Sequence, residues 1–272
     1  MLEWLLSIIK TEVPVPKPYG IYHICALAVI IALCVIFTRK VGNLDEASFR
    51  RLALITWIII AVMELMKQTI YSFHSTDGGI VADYQWFVFP FQFCSSPFYI
   101  FPLLFLCRER TPLYKCVVGF LVGYSFFAGL TVCLYPGDVF TFYLGIDIQT
   151  VIHHGAMVIM GVWLAYRNRR RLTLSSFAGG SVIFTVLVMI AMALNTLIHS
   201  YFVSAGITET CNLFFISPYY PCTLPLLSSI YPVVPYPVFV IIYFVGFFLA
   251  GFLCFYLLKG VSRLIDKNGG RR

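Results

Sequence analysis

Seven apolar runs constrain this chain more than any other feature. They fall at roughly 20–38, 52–73, 86–106, 113–134, 148–166, 176–200 and 236–258. A helix needs about 20 apolar residues to cross a bilayer, because only a helix or a closed barrel satisfies its own backbone there. Charged residues make up 11% of the chain, against about 25% in soluble domains. The spacing therefore predicts an all-α polytopic membrane protein, a seven-transmembrane helix bundle. The net charge of +7 is read as an orienting signal and not as a nucleic-acid footprint.

The basic residues support that count. Arg39, Lys40, Arg50 and Arg51 lie between the first two runs, and Arg108, Arg110 and Lys115 between the third and fourth. Arg167, Arg169, Arg170 and Arg171 lie between the fifth and sixth, and Lys259, Arg263, Lys267, Arg271 and Arg272 follow the last. Sixteen of the nineteen basic residues thus fall on one side of a seven-span threading. Lys10 and Lys17 lie on the other side and Lys67 within a span. The positive-inside rule then puts the N-terminus outside and the C-terminus in the cytoplasm. Residues 1–19 read as an extracytoplasmic segment whose opening, "MLEWLLSIIK", is too short to span and suits an interfacial helix. Residues 20–260 form the helical domain and 261–272 a basic cytoplasmic tail.

Ionisable groups inside a span mark functional sites. At 1.5 Å per helical residue, Cys94, Gln92, His153 and His154 fall roughly 10 Å below the outer surface. Glu64 and Lys67 lie in the outer half of the second span, and Asn195 and His199 near the outer end of the sixth. Each also has a plainer reading. Glu64 and Lys67, spaced i, i+3, form a charge pair; His199 caps its helix, and Asn195 bonds across helices. Adjacent histidines on a helix point about 100° apart, so one reaches a cavity and the other a neighbouring helix. Cys94 stands between Pro90 and Pro97, and Pro97 opens the helix beside the thiol. A thiol next to an imidazole is a competent nucleophile with a resident base.

Nine cysteines include no CxxC pair. Cys25, Cys34, Cys116, Cys133 and Cys254 read as small hydrophobes within spans. Cys211 and Cys222 share an outer loop, where a disulfide is chemically permitted. The polar residues match no HExxH-type spacing, so no metal and no cofactor is expected. Proline breaks the third run, and "ISPYYPCTLPLLSSIYPVVPYP" before the last run is too proline-rich for a helix.

Three stretches, "PFQFCSSPFYIFPL", "VIHHGAMVI" and "CNLFFISPYYPCTLPLL", resemble the YwaF-like bacterial integral membrane proteins and their eukaryotic relatives of the transmembrane protein 164 family. The latter are regarded as acyltransferases acting on ether phospholipids. More distant are intramembrane hydrolases of fatty-acid esters of hydroxy fatty acids. The resemblance covers about 50–260. It implies a multi-pass enzyme of a bacterial cytoplasmic membrane with membrane lipid as substrate. Cys94 would be the acyl-accepting nucleophile and His153 or His154 the base, while Asn212 matches a family asparagine. Many bacterial members carry a histidine two residues before the cysteine, where this chain has Gln92. The leading expectation is intramembrane acyl transfer, as a lipid acyltransferase or ester hydrolase. The alternative is a transporter or small-molecule-binding protein without catalysis.

Overall fold

Apolar side chains outnumber the positions a bundle of this size can bury, and the surplus points outward. In the computed structural model, which describes residues 2–76, 78–137 and 139–269, Ile31, Leu65, Val182, Leu197, Ile241 and Leu253 are all exposed. Such faces belong in lipid. Among the described residues, five helices are long and apolar enough to cross a membrane: Ile21–Val41, Pro112–Leu134, Leu144–Arg167, Leu174–Ala205 and Tyr236–Asp266. The protein is a multi-pass helical membrane protein.

In chain order, α1 (Leu2–Ile9) is the short opening helix and α2 (Ile21–Ile36) continues into a π-helical turn over Phe37–Val41. Helix α3 (Glu46–Ser72) runs for 27 residues and carries Glu64 and Lys67 inside its apolar stretch. Asp45 starts it, accepting hydrogen bonds from Ser48 N at 3.0 Å and Ser48 Oγ at 2.7 Å. A hairpin follows, with β1 (Phe73–Thr76) antiparallel to β2 (Gly79–Ala82). The all-α expectation missed it. The sequence does carry a D-G-G turn signal there, and Gly79 adopts φ 113°, which favours glycine.

The third predicted span is broken, as its prolines require. It consists of two 3-10 turns, Trp86–Val88 and Phe93–Ser95, and two short helices, α4 (Ser96–Ile100) and α5 (Pro102–Leu106). Next come α6 (Pro112–Phe120), a π-helical turn over Leu121–Ser125, and α7 (Phe126–Leu134). Helices α8 (Leu144–Arg167), α9 (Leu174–Ala205), α10 (Leu227–Ile230) and α11 (Tyr236–Gly269) complete the chain. Helix α8 is central: 16 of its 24 residues are buried, and it packs against α2, α3, α7 and α11.

The four basic segments converge on one end of the bundle. Arg167 bonds Glu109 through both Nε (2.9 Å) and Nη2 (2.6 Å), donates to Leu44 O and lies over the Phe49 ring. Arg169 and Arg170 pair with Asp266 of α11. At the opposite end, Val13 and Thr11 pair with Phe142 and Leu144, and Lys10 donates to Phe73 O. The residues singled out from sequence lie on elements of that second half.

Candidate functional site

The break in the third span creates the site. Pro90 and Pro97 lack a backbone donor, so no continuous helix passes through "FVFPFQFCSSPFYIFP". Pro97 does not kink a helix beside Cys94, as the sequence suggested. It sits in the first turn of α4, where a missing N–H is harmless. The freed Phe93 carbonyl accepts from Ser96 Oγ at 2.7 Å, and Trp57 Nε1 of α3 donates to Phe98 O at 2.9 Å. Cys94 is thus held in a tight turn of non-α backbone.

The carbonyl of Cys94 meets His153 Nε2 at 2.8 Å. A carbonyl only accepts, so Nε2 carries the proton and Nδ1 presents its lone pair. That Nδ1 is buried without a partner. His154 has the opposite arrangement. Its Nδ1 bonds Thr150 O one turn back at 2.8 Å, leaving Nε2 bare, buried and unpartnered. The two rings lie 5.3 Å apart between centroids. Each is a neutral imidazole with one basic nitrogen free of protein partners. His153 bonds the turn that carries Cys94, whereas the cleft beside His154 is lined by none of Cys94, Glu64, Lys67, Asn195 and His199. His154 lines a narrow cleft of about 20 Å³ between α2, α7 and α8, with His23, Thr150 and Cys133 among its walls. That is room for about one water molecule.

Glu64 and Lys67 form an ion pair at 2.9 Å, with side chains 5% and 15% exposed. Gln68, overlooked in the sequence, extends the pair. Its Nε2 donates to Glu64 Oε1 at 2.9 Å and to Val88 O at 2.8 Å, while Tyr84 OH donates to its Oε1. The pair is therefore tied, through Gln68 and Val88 O, to the broken segment that carries Cys94. Glu64 Oε2 remains buried and unpartnered.

Gln92, Asn195 and Asn212 do different work. Asn195, fully buried on α9, accepts from Leu213 N at 2.8 Å and donates to Leu213 O at 3.0 Å. Gln92 accepts from Phe214 N at 3.0 Å and donates to Asn212 O at 3.3 Å. Asn212 accepts from Ser217 N and donates to Tyr220 O and Pro221 O. Tyr243 of α11 donates to Phe214 O at 2.9 Å. These bonds pin the loop before α10 onto three separate elements. They hold Phe214 and Phe215 at φ 55°, a left-handed conformation costly for bulky side chains. His199 belongs to the same loop contact, stacked on Tyr219 at 3.8 Å. Cys211 and Cys222 flank the pinned segment as buried free thiols.

Two further ionisable groups on these helices stand outside the candidate set read from the sequence. His23 is satisfied on both nitrogens, donating to Cys133 O at 2.8 Å and accepting from Tyr19 N at 2.9 Å. Asp147, one turn before Thr150 and fully buried, accepts from Thr141 N at 2.8 Å and leaves Oδ2 without a partner. Both were visible as ionisable residues in or beside apolar runs.

No curated protein and no solved structure matches the chain at a significant level. The model of the TMEM164 family matches residues 18–259. That stretch includes every residue of the site, in keeping with the transmembrane protein 164 resemblance, and the chain belongs to the TMEM164 family.

Proposed function

We propose that this protein is an intramembrane acyl-transfer enzyme acting on membrane lipid, with Cys94 as nucleophile and the histidine pair as base. The observation that carries the reading is the bond from His153 to the Cys94 carbonyl. It tethers the thiol's own residue to a histidine pair that keeps two buried basic nitrogens free. A purely structural buried histidine is normally satisfied at both nitrogens, as His23 is.

In the proposed reaction, a histidine nitrogen takes the Cys94 proton and the sulfur attacks the carbonyl carbon of a lipid ester. The tetrahedral intermediate collapses to a thioester, and the departing alkoxide takes the proton from the imidazolium. A lipid alcohol or water then gives its proton to the same nitrogen and attacks the thioester, and the returning proton restores the thiol. Transferase and hydrolase differ only in that second acceptor. The chain would cross seven times, counting α3 and the broken third segment, with the N-terminus outside a bacterial cytoplasmic membrane. This threading puts Cys94 within reach of ester groups just below the outer headgroups.

Intact-mass measurement on purified protein incubated with defined phospholipids tests the reading. An acyl adduct on Cys94 that forms in the wild type, is absent from Cys94→Ala and forms more slowly in whichever of His153→Ala and His154→Ala removes the base is the expected result. No adduct, with lipid turnover unchanged in Cys94→Ala, would overturn it and return the protein to a transport or binding role.

A further inference from the structure

Acyl transfer forms a negative oxygen twice, once in each tetrahedral intermediate. The imidazolium proton is committed to the leaving group, so the oxyanion needs a donor of its own, already aimed at it. Lys67 lies well inside the second apolar run, and a cation at that depth marks function.

The packing of α3 sets where that cation points. Two hydrogen bonds clamp α3 to the broken segment on either side of Cys94: Trp57 Nε1 donates to Phe98 O at 2.9 Å and Gln68 Nε2 to Val88 O at 2.8 Å. At about 100° per residue, Glu64 projects within about 40° of both anchors and so faces the same segment. Lys67 projects in line with Phe49, about five turns earlier, whose ring lies 5.2 Å from that of Trp163 on α8. Farther along α3, a Cβ on Gly145 of α8 would lie 2.9 Å from Ile70 Cδ1. These two contacts make α3 and α8 antiparallel and bring Glu64 to within about one turn of His153. Lys67 reaches one turn back to Glu64, so its ammonium shares that level. The segment and the helix between which it points meet at the bond from His153 to the Cys94 carbonyl.

The contacts of Lys67 leave it able to donate. Glu64 Oε1 takes both Lys67 Nζ and Gln68 Nε2, each at 2.9 Å, while Oε2 stays bare and buried. The carboxylate grips the ammonium through one oxygen, and Lys67 makes no other polar contact among the described residues. An ammonium has further N–H donors, and these are left to point elsewhere. Exposure follows the same division. Glu64 and both histidines are buried, whereas Cys94 and Lys67 are partly exposed. A substrate carbonyl that reaches the thiol thus has the ammonium, and not the carboxylate, open to it.

We propose that Lys67 stabilises the oxyanion of both tetrahedral intermediates and that Glu64 is the positioning residue that holds its ammonium; this rests on the acyl-transfer reading. As the Cys94 sulfur bonds the carbonyl carbon, the π pair of the C=O bond moves onto oxygen. A Lys67 N–H donates to that oxygen without giving up its proton. The pair returns to the C–O bond as the leaving group departs with the imidazolium proton. The same donor serves when alcohol or water attacks the thioester.

Single-turnover acylation and thioester discharge, read by intact mass, test this beside the affinity for a long-chain trifluoromethyl ketone, whose adduct with a thiol carries a tetrahedral oxyanion. Lys67→Met should slow both steps by about 10²–10³-fold and weaken the ketone by a similar factor, with phospholipid affinity little changed. Lys67→Arg, which keeps the cation, should recover about tenfold or more. Glu64→Gln should show a smaller loss in the same readouts. Unchanged ketone affinity in Lys67→Met, or a loss no larger than the fall in folded protein, would overturn the assignment and leave a structural ion pair. If Lys67→Met fails to insert because Glu64 is left unpaired, the double variant Glu64→Gln, Lys67→Met removes both charges and decides the same question. A wild type that forms no adduct on Cys94 would remove the acyl-transfer reading and this assignment together. An adduct formed and discharged at equal rates in wild type and Lys67→Met would remove this assignment alone.

Discussion

The polar residues of this bundle divide into two neighbouring regions with opposite bookkeeping. In the loop clamp, Asn195, Gln92 and Asn212 each use both ends of their amides, and together they fix a strained turn onto the helices. In the histidine centre, His153 Nδ1, His154 Nε2 and Glu64 Oε2 are buried without partners. Unpaired buried polar atoms cost about 1–3 kcal/mol each, so a fold keeps them only where something else is gained. The contrast separates residues that hold shape from residues left free to react. Sequence position does not, since Gln92 and Cys94 are two residues apart.

The largest effect should come from removing the reactive atom itself. Cys94→Ala should abolish lipid acyl turnover, a loss of about 10³-fold or more, while the melting temperature in detergent stays near that of the wild type. Retained turnover would end the contrast on the reactive side. Next come the bases. Loss of general-base function costs about 10²–10⁴-fold, and the two histidines should not be equal. The one that receives the thiol proton should show the full loss and form little acyl adduct on Cys94, because the thiol is no longer activated. The other, whose bond only positions its neighbour, should lose less and still form the adduct. Paired single-turnover measurements on His153→Ala and His154→Ala read this directly.

The clamp should respond in the opposite currency. Asn195→Leu removes both bonds to Leu213 and leaves a buried N–H and C=O unpaired, a destabilisation of roughly 2–5 kcal/mol. Thermal unfolding followed by tryptophan fluorescence should show a clear drop, while activity per folded molecule falls far less than in the histidine variants. A variant with unchanged melting and lost activity would move Asn195 from the clamp to the reactive side.

How much of this was legible follows from which interactions are local. The apolar runs, the broken third segment and the i, i+3 pair of Glu64 and Lys67 depend on residues close in sequence, and each could be read there. The convergence of the four basic segments was legible too, because charge follows the threading. The hairpin after α3 was overlooked although its turn residues are local. The roles of Gln92 and Asn195 were not legible: their partners lie 122 and 18 residues away. An amide in a span looks the same whether it faces a substrate or a loop. Pro97 illustrates a subtler limit. Its missing donor was certain from sequence, but whether it kinks a helix or starts one depended on Pro90 having already ended the regular backbone upstream.

The smallest expected effect lies at the far end of the molecule and calibrates the other two. Asp45 caps α3 through Ser48, well away from the clamp and the histidine centre, and those hydrogen bonds hold its carboxyl below the ordinary value of 3.8. A group with a depressed folded-state value contributes stability that is fully present above the unfolded value. That contribution is lost as pH falls through the lower, folded one. Asp45→Ala should therefore lower the melting temperature slightly at pH 7, and the difference from wild type should shrink below about pH 4. Because Asp45 is fully exposed, the shift should be smaller than that of Asn195→Leu, and acyl turnover should not change. If a lost cap this far from the site reduced turnover as much as Asn195→Leu, activity would be tracking stability alone, and the line between clamp and reactive centre would have to be redrawn from histidine chemistry only.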